Sequence, residues 1–441
     1  MSATAVVAPV SAMSSRAIAE AAKSASRVLA PLSEAKRNTT LEAMAVAVEA
    51  AAAELMAANA EDLAVAASMS GEEKLSSATI SRLKLTENKL REMVEQIRSV
   101  KALPDPLGRA LDEIELDRGL ELEKISVPLG VLAVIFEARP DAVTQIAALA
   151  VKSGNAVILK PGREVEHTAT VLVRVLRESL EAQGLPVDAV SLVMGRERIA
   201  ELLGMHGLID MVIPRGSNKL VEYVQANTRI PVLGHSEGIC HIYIDRSFDE
   251  ALALDVIDDA KTDYPAACNA VETVLVHRDI AAEFVPKLAA RLRLRGVAMR
   301  GDAAVRGLAD VSEVEDWHTE FGDLELAIGV VDSMDAAIEH IHKHGSLHTE
   351  SIITSDKAAA ERFLREVDAA GVFHNASTRF SDGFRYGFGA EVGVSTSKFH
   401  ARGPVGLDGL TTYKYVLRGH GQTAGEYRGT NAKAFTHRRK G

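Results

Sequence analysis

The chain has 441 residues, 47% of them hydrophobic, and carries 50 Lys+Arg against 61 Asp+Glu for a net charge of −11. That length exceeds what one hydrophobic core supports, so two or three domains are expected, and an acidic balance spread along the chain excludes a basic nucleic-acid face. Two cysteines exclude a disulfide framework and every long apolar run is broken by charge, so the expected setting is a reducing cytoplasm with no membrane span.

Residues 1–15 are mildly apolar but lack a basic leader, so they read as a frayed end rather than a secretion signal. Thr40 to Ala67 is rich in Ala, Leu, Met and Glu, and Leu90, Met93, Val94 and Ile97 repeat at helical spacing behind a cap at Thr86. The first hundred residues are therefore helical. From Ile114 to Leu122 the period switches to two around Asp117-Arg118-Gly119, which predicts a projecting hairpin whose apolar face a neighbouring subunit would cover. Apolar strands then alternate with helices: Val131 to Phe136, a helix opening at Pro140, Ala156 to Leu159, a helix through Leu180, Val190 to Val193, and Met211 to Ile213. A second α/β series follows, with strands near Val271 to Val276, Leu326 to Val331, Ser351 to Thr354 and Val372 to Asn375. The tail beyond Leu417 is polar and basic, and is expected to be disordered or strapped loosely to the surface.

Chemistry concentrates at Asp263-Tyr264-Pro265-Ala266-Ala267-Cys268-Asn269-Ala270, where a thiol sits in a small-residue turn just ahead of a strand. A thiolate nucleophile needs such an approachable sulfur, with backbone N–H groups near Cys268 and Asn269 to hold an oxyanion. Cys240 lies within an apolar strand candidate and reads as an inert core thiol. The chain has no GxxxxGK[ST], no HExxH and no GxGxxG following a strand. Instead Lys160-Pro161-Gly162-Arg163 ends a strand at the ligand-collecting edge of a parallel sheet, and Arg215-Gly216-Ser217 opens a helix whose N–H groups favour a pyrophosphate. Arg139, Arg379 and Arg402 stand beside turns, suited to bidentate capture of carboxylate or phosphate. The histidines His340, His342, His344 and His348 have no matching third ligand nearby in sequence, and no metal is expected.

Several segments, in order, carry a closer likeness: Val127-Pro-Leu-Gly130, Phe136-Glu-Ala-Arg-Pro140, Ile213-Pro-Arg-Gly216, Gly238-Ile-Cys-His241, Pro265-Ala-Ala-Cys-Asn269, Asn375-Ala-Ser-Thr-Arg-Phe380 and His400-Ala-Arg-Gly-Pro404. Together they resemble the γ-glutamyl phosphate reductases, a branch of the aldehyde dehydrogenase superfamily, over nearly the whole chain. The resemblance implies an aldehyde-dehydrogenase-like α/β fold of two parallel-sheet domains plus a β-hairpin oligomerisation arm. On this chain the division is 1–107 with 127–237 for NADP binding, 238–395 for catalysis, 108–126 with 396–418 for the arm, and 419–441 for a flexible tail. It implies reduction of γ-glutamyl phosphate to glutamate 5-semialdehyde and phosphate through a thioester on Cys268, the second step of proline biosynthesis from glutamate. It further implies Glu320 at the nicotinamide ribose, Asn375, Ser377, Thr378, Arg379, Arg402 and Arg139 around the substrate, and a homodimer or homotetramer; the lability of an acyl phosphate makes a glutamate kinase a chemically attractive partner.

Two departures from the wider superfamily sharpen the expectation. The glutamate that activates water in hydrolytic members falls here at Gly234, with Glu237 out of register, so water is a poor acyl acceptor and phosphate the competent one. NAD-preferring relatives often read Lys-Pro-x-Glu where this chain has Lys160-Pro161-Gly162-Arg163, so NADPH is expected over NADH. The rival readings are a hydrolytic aldehyde dehydrogenase, and an idle scaffold that would have no use for an open Cys268.

Overall fold

The computed structural model describes residues 13–69, 75, 77–235 and 237–440. The N-terminal segment up to residue 12, and Ser236 within the Gly234 to His241 stretch, lie outside the described residues. The opening is helical as read: Ser15–Leu29, Glu34–Ala50, Ala52–Ser68, Ser77–Leu83 and Glu87–Ala102. Ser14, Ser33 and Thr86 each cap a helix by accepting a backbone N–H two to three residues into it, which satisfies a donor that the helix itself leaves open.

These helices pack on a parallel sheet whose strands run in the order Val190–Leu192, Ala156–Pro161, Val131–Phe136, Met211–Arg215. Every residue of Val131–Phe136 and Ala156–Pro161 is buried, because helices cover both faces, and this is why the two strands are apolar without alternation. The helix Pro140–Lys152 starts with proline at its first turn, as expected.

A seven-stranded parallel sheet forms the second domain, in the order Ser312–Glu313, Ala298–Gly301, Glu325–Val331, Val271–His277, Cys240–Ile244, Thr349–Ile353, Gly371–His374. The short strands Ala298–Gly301 and Ser312–Glu313 had no periodic signal in the sequence. Helices Glu250–Thr262 and Arg278–Leu294 bury Ile257, Phe284, Leu288 and Leu292 against this sheet.

The hairpin is longer than its sequence core, Ala110–Asp117 paired with Leu120–Pro128, and Gly119 takes φ 72° at its turn. Thr411–Arg418 lies along one edge and Arg438–Arg439 along the other. The tail is thus strapped to the arm: Thr436 donates its N–H to the Leu116 carbonyl at 2.9 Å and the Tyr427 hydroxyl reaches Asp117 at 2.9 Å. Tyr413, Tyr415 and Leu417 stay exposed on Thr411–Arg418. Before reaching the arm, the chain returns from the second domain: Val392, Ala401, Val405, Leu407 and Leu410 are buried in the first domain's core, although most of them were grouped with the arm in the sequence.

Candidate active site

Cys268 sits in the turn between the helix Glu250–Thr262 and the strand Val271–His277, held by Ala267 N–H to the Tyr264 carbonyl and Ala270 N–H to the Ala267 carbonyl, 3.1 and 2.9 Å. Neither bond uses the N–H of Cys268 or Asn269. The thiol is half-buried. Behind it the backbone of Gly238 comes so close that any side chain there would overlap the Cys268 backbone. Cys240 is fully buried, its Sγ 3.4 Å from the Cys268 carbonyl oxygen, and burial pushes its thiol well above the ordinary cysteine range, so it is the inert one.

The nucleophile lies at the amino edge of its sheet, whereas the ligand loops of the first domain lie at the carboxyl edge of theirs, and the two edges meet. Phe136 and Arg215 pair at the ends of adjacent first-domain strands. The Arg215 side chain feels the Cys268 sulfur, and loss of solvent, then the like charge of Arg139, brings its guanidinium down to about 10. It remains a cation at neutral pH and sets a positive charge in the field of the sulfur. From the other side Asn218 donates to Glu320 across the domain boundary at 3.4 Å.

In the first domain opens a cleft of about 1040 Å³ lined by Lys160, Gly162, Arg163, Arg196, Ser217 and Lys219 among others. Lys160 is almost fully buried and burial pushes its ammonium down; its Nζ donates to the Pro161 carbonyl at 2.8 Å. Gly216 and Gly162 keep the loops low: a Cβ at either would meet the Glu137 or the Glu164 carboxylate at 2.4 or 2.1 Å. The Glu137 carboxylate accepts the Ser217 N–H at 2.9 Å at the start of helix Asn218–Ala226, the position where an anionic ligand group is favoured. A phosphate-bearing nucleotide therefore fits the donor set of this cleft.

The sequence profile of the Aldehyde dehydrogenase family matches residues 2–306. The chain is 51% identical to "Gamma-glutamyl phosphate reductase 1" of a Synechocystis species, over 95% of this chain and 96% of that one. It is 50% identical to "Gamma-glutamyl phosphate reductase" of Natronomonas pharaonis, again over 95% of this chain and 96% of the relative. The crystal structure of the Thermotoga maritima gamma-glutamyl phosphate reductase superposes with a TM-score of 0.90 at 37% identity, over 92% of this chain and 99% of that one. This chain belongs to the γ-glutamyl phosphate reductase family.

Within that family's fold the expected site residues divide into three groups. Lys160, Gly162, Arg163 and Ser217 line the cleft, Pro161 and Gly216 stand next to them in the chain, and Glu320 of the second domain accepts from Asn218, the residue after Ser217. Arg215 does not line the cleft; it joins Arg139 on the side of the nucleophile. Asn375, Ser377 and Arg379 line a separate groove of about 450 Å³ with Arg385 and Phe380. Asn375 commits both ends of its amide to the Thr354 backbone at 3.0 Å, Ser377 accepts the Arg379 N–H, and Arg379 and Arg385 share one oxygen of Asp263 at 3.1 and 2.9 Å. Arg379 thereby braces the start of the Cys268 turn. Arg402 pairs with Asp368 instead, at 2.9 Å.

Asn269 and Thr378 are buried, and each keeps an unpartnered oxygen, Oδ1 and Oγ1. The Asn269 amide nitrogen donates one of its two N–H groups to the Ser381 carbonyl at 2.9 Å, and its Oδ1 is a free acceptor. Gly234 lies against Pro214, and Glu237 turns to His318 Nε2 at 2.8 Å. Glu325, five residues after Glu320, is held by Arg300. His340 packs edge-on against Trp317 and His241 and tilted against His344, and burial pushes its ring down to about 3, a core histidine rather than a ligand.

Sequence reasoning gave no role to His235 or His348, yet both come to Cys268: the Sγ and one nitrogen of each ring lie within 4.8 Å of one another. Each residue precedes a strand of the same sheet, but only the strand order makes them neighbours.

Proposed function

We propose that this chain reduces γ-glutamyl phosphate to glutamate 5-semialdehyde and inorganic phosphate, using NADPH and a thioester on Cys268. The observation that carries the reading is the half-buried Cys268 beside the cation Arg215, which ends a strand of the domain that holds the cleft, in a chain about half identical to γ-glutamyl phosphate reductases. The Sγ–C bond forms at the acyl carbonyl as the C–O bond to phosphate breaks, with the turn's N–H groups facing the developing oxyanion. A bound nicotinamide supplies the hydride that reduces the thioester carbonyl. Collapse of the resulting tetrahedral species breaks the C–S bond and returns the thiolate with the aldehyde.

Lys160 and Arg163 at the cleft wall support a 2′-phosphate on the adenosine ribose, and Ser217 with Lys219 supports the pyrophosphate. Arg139, whose charge acts on Arg215, supports capture of the substrate's carboxylate or phosphate, and Arg379 braces the turn through Asp263. The turn of Glu237 toward His318 supports phosphate over water as acyl acceptor in the reverse direction. The exposed Tyr413, Tyr415 and Leu417 on the arm support a homodimer or homotetramer. A cytoplasmic setting and a glutamate kinase as supplier of the labile acyl phosphate complete the reading.

The test is NADP reduction with glutamate 5-semialdehyde, with and without phosphate, beside Cys268→Ala. Phosphate-dependent turnover lost in the variant is expected. Equal rates without phosphate would make this a hydrolytic dehydrogenase.

A further inference from the structure

Cys268, His235 and His348 stand just ahead of three neighbouring parallel strands, Val271–His277, Cys240–Ile244 and Thr349–Ile353, so that one sheet edge gathers a thiol and two imidazoles. Their ligand atoms fall within 4.8 Å of one another, and the two rings meet edge to face with centroids 5.0 Å apart. The rings are held differently. His235 Nδ1 lies 2.9 Å from the carbonyl oxygen of Val394, which can only accept, so Nδ1 carries the proton and Nε2 is the basic atom. His348 Nδ1 faces the Thr349 hydroxyl at 2.9 Å and Cys240 Sγ at 3.7 Å, while its Nε2 is buried without a partner. A nucleophile, a base and a group that fixes the base's tautomer are the three parts that thiol activation needs.

We propose that His235 is the acid–base residue of the reaction, with Val394 fixing its tautomer and His348 packing the ring in place. Resting on the thioester reading above, the step balances as follows. The S–H bond of Cys268 breaks and its proton goes to His235 Nε2. The thiolate attacks the acyl carbon, and the proton passes from Nε2 to the leaving phosphate oxygen as the C–O bond breaks. His235 is then neutral, and after the C–S bond breaks the thiolate regains a proton from solvent through the same ring. The other charged and titratable groups around the pair are Arg215 and, behind it, Arg139 from the first domain, Glu391 acting on His235 from the return segment, and Cys240 beside His348.

The test reads the thiol without substrate, so its failure is separable from failure of the proposed reaction. Iodoacetamide alkylation of Cys268 is followed by mass at two pH values in wild type, His235→Gln and His348→Gln. In His235→Gln the rate at about pH 6.5 is expected to fall at least about tenfold, while that at about pH 9 stays within about twofold. In His348→Gln both rates are expected to stay within about threefold of wild type. If His235→Gln fails to fold, the difference in ultraviolet thiolate absorbance between wild type and Cys268→Ala reads the same proton, with signal expected at about pH 6.5. An unchanged alkylation profile, a loss confined to His348→Gln, or no thiolate signal overturns the assignment.

Discussion

The Cα of Cys268 lies 2.6 Å from where a Cβ on Gly238 would sit, and its carbonyl oxygen lies 2.2 Å from that point. Because the neighbouring atoms are backbone, nothing flexible is there to give way. The lead-in to Cys240–Ile244 therefore acts as the anvil against which the nucleophile's turn is set. Gly238→Ala is expected to displace the thiol and lower kcat/KM by about 100-fold in a protein that still folds, as a shift of roughly 1 Å from attack geometry does. Steady-state kinetics beside a thermal melt checks this; a folded variant at wild-type rate would show that the turn relaxes freely.

The two cysteines are predicted to behave oppositely. Cys240→Ala removes a fully buried side chain and is expected to cost about 1–2 kcal/mol of stability while keeping most activity. Under limiting iodoacetamide, peptide mapping is expected to find the adduct on Cys268 alone, since burial keeps the Cys240 thiol protonated. An adduct divided between both would contradict that burial.

Arg163 sets the cofactor preference in the proposed function. Arg163→Glu is expected to lower the ratio of catalytic efficiencies with NADPH and NADH by about 10–100-fold, the worth of one or two charge-assisted bonds to a phosphate. An unchanged ratio would move the discrimination to Lys160, Arg196 or Lys219, the other cations of the cleft.

His340 predicts a pH dependence of stability. Its ring is pushed down to about 3 from an ordinary 6.5 by burial, so as pH falls the unfolded chain takes up the proton first. Its contribution is complete above about 6.5 and is lost progressively between that pH and about 3. His340→Leu is expected to narrow the gap in melting temperature between about pH 7.5 and about pH 5 by about 2 °C or more. An equal gap in both proteins would assign the acid sensitivity elsewhere.

The sequence disclosed the strands wherever both faces are buried, since Val131–Phe136 is an uninterrupted apolar run and Val274 to Val276 an apolar core within Val271–His277. It disclosed the Cys268 turn because small residues crowd around the thiol. It was silent on Ala298–Gly301, where only four residues pair and two glycine-flanked turns mask the period. Side-chain commitments were hidden too: nothing local told that Asn375 would spend its amide on Thr354, or that Arg402 would find Asp368. His235 and His348 were the costliest omission, because their approach to Cys268 depends on Cys240–Ile244 lying between Val271–His277 and Thr349–Ile353.

The polypeptide passes between the two domains twice, outward after Leu233 and back before Val392, and the bond from His235 to Val394 clasps the two passages together. Two adjacent tethers define a pivot. Rotation about it would swing the second domain against the first, whose residues wall the cleft, while twisting and sliding are restrained, much as a door keeps its plane on a paired hinge. Cys268 lies near the pin, so its sulfur travels little.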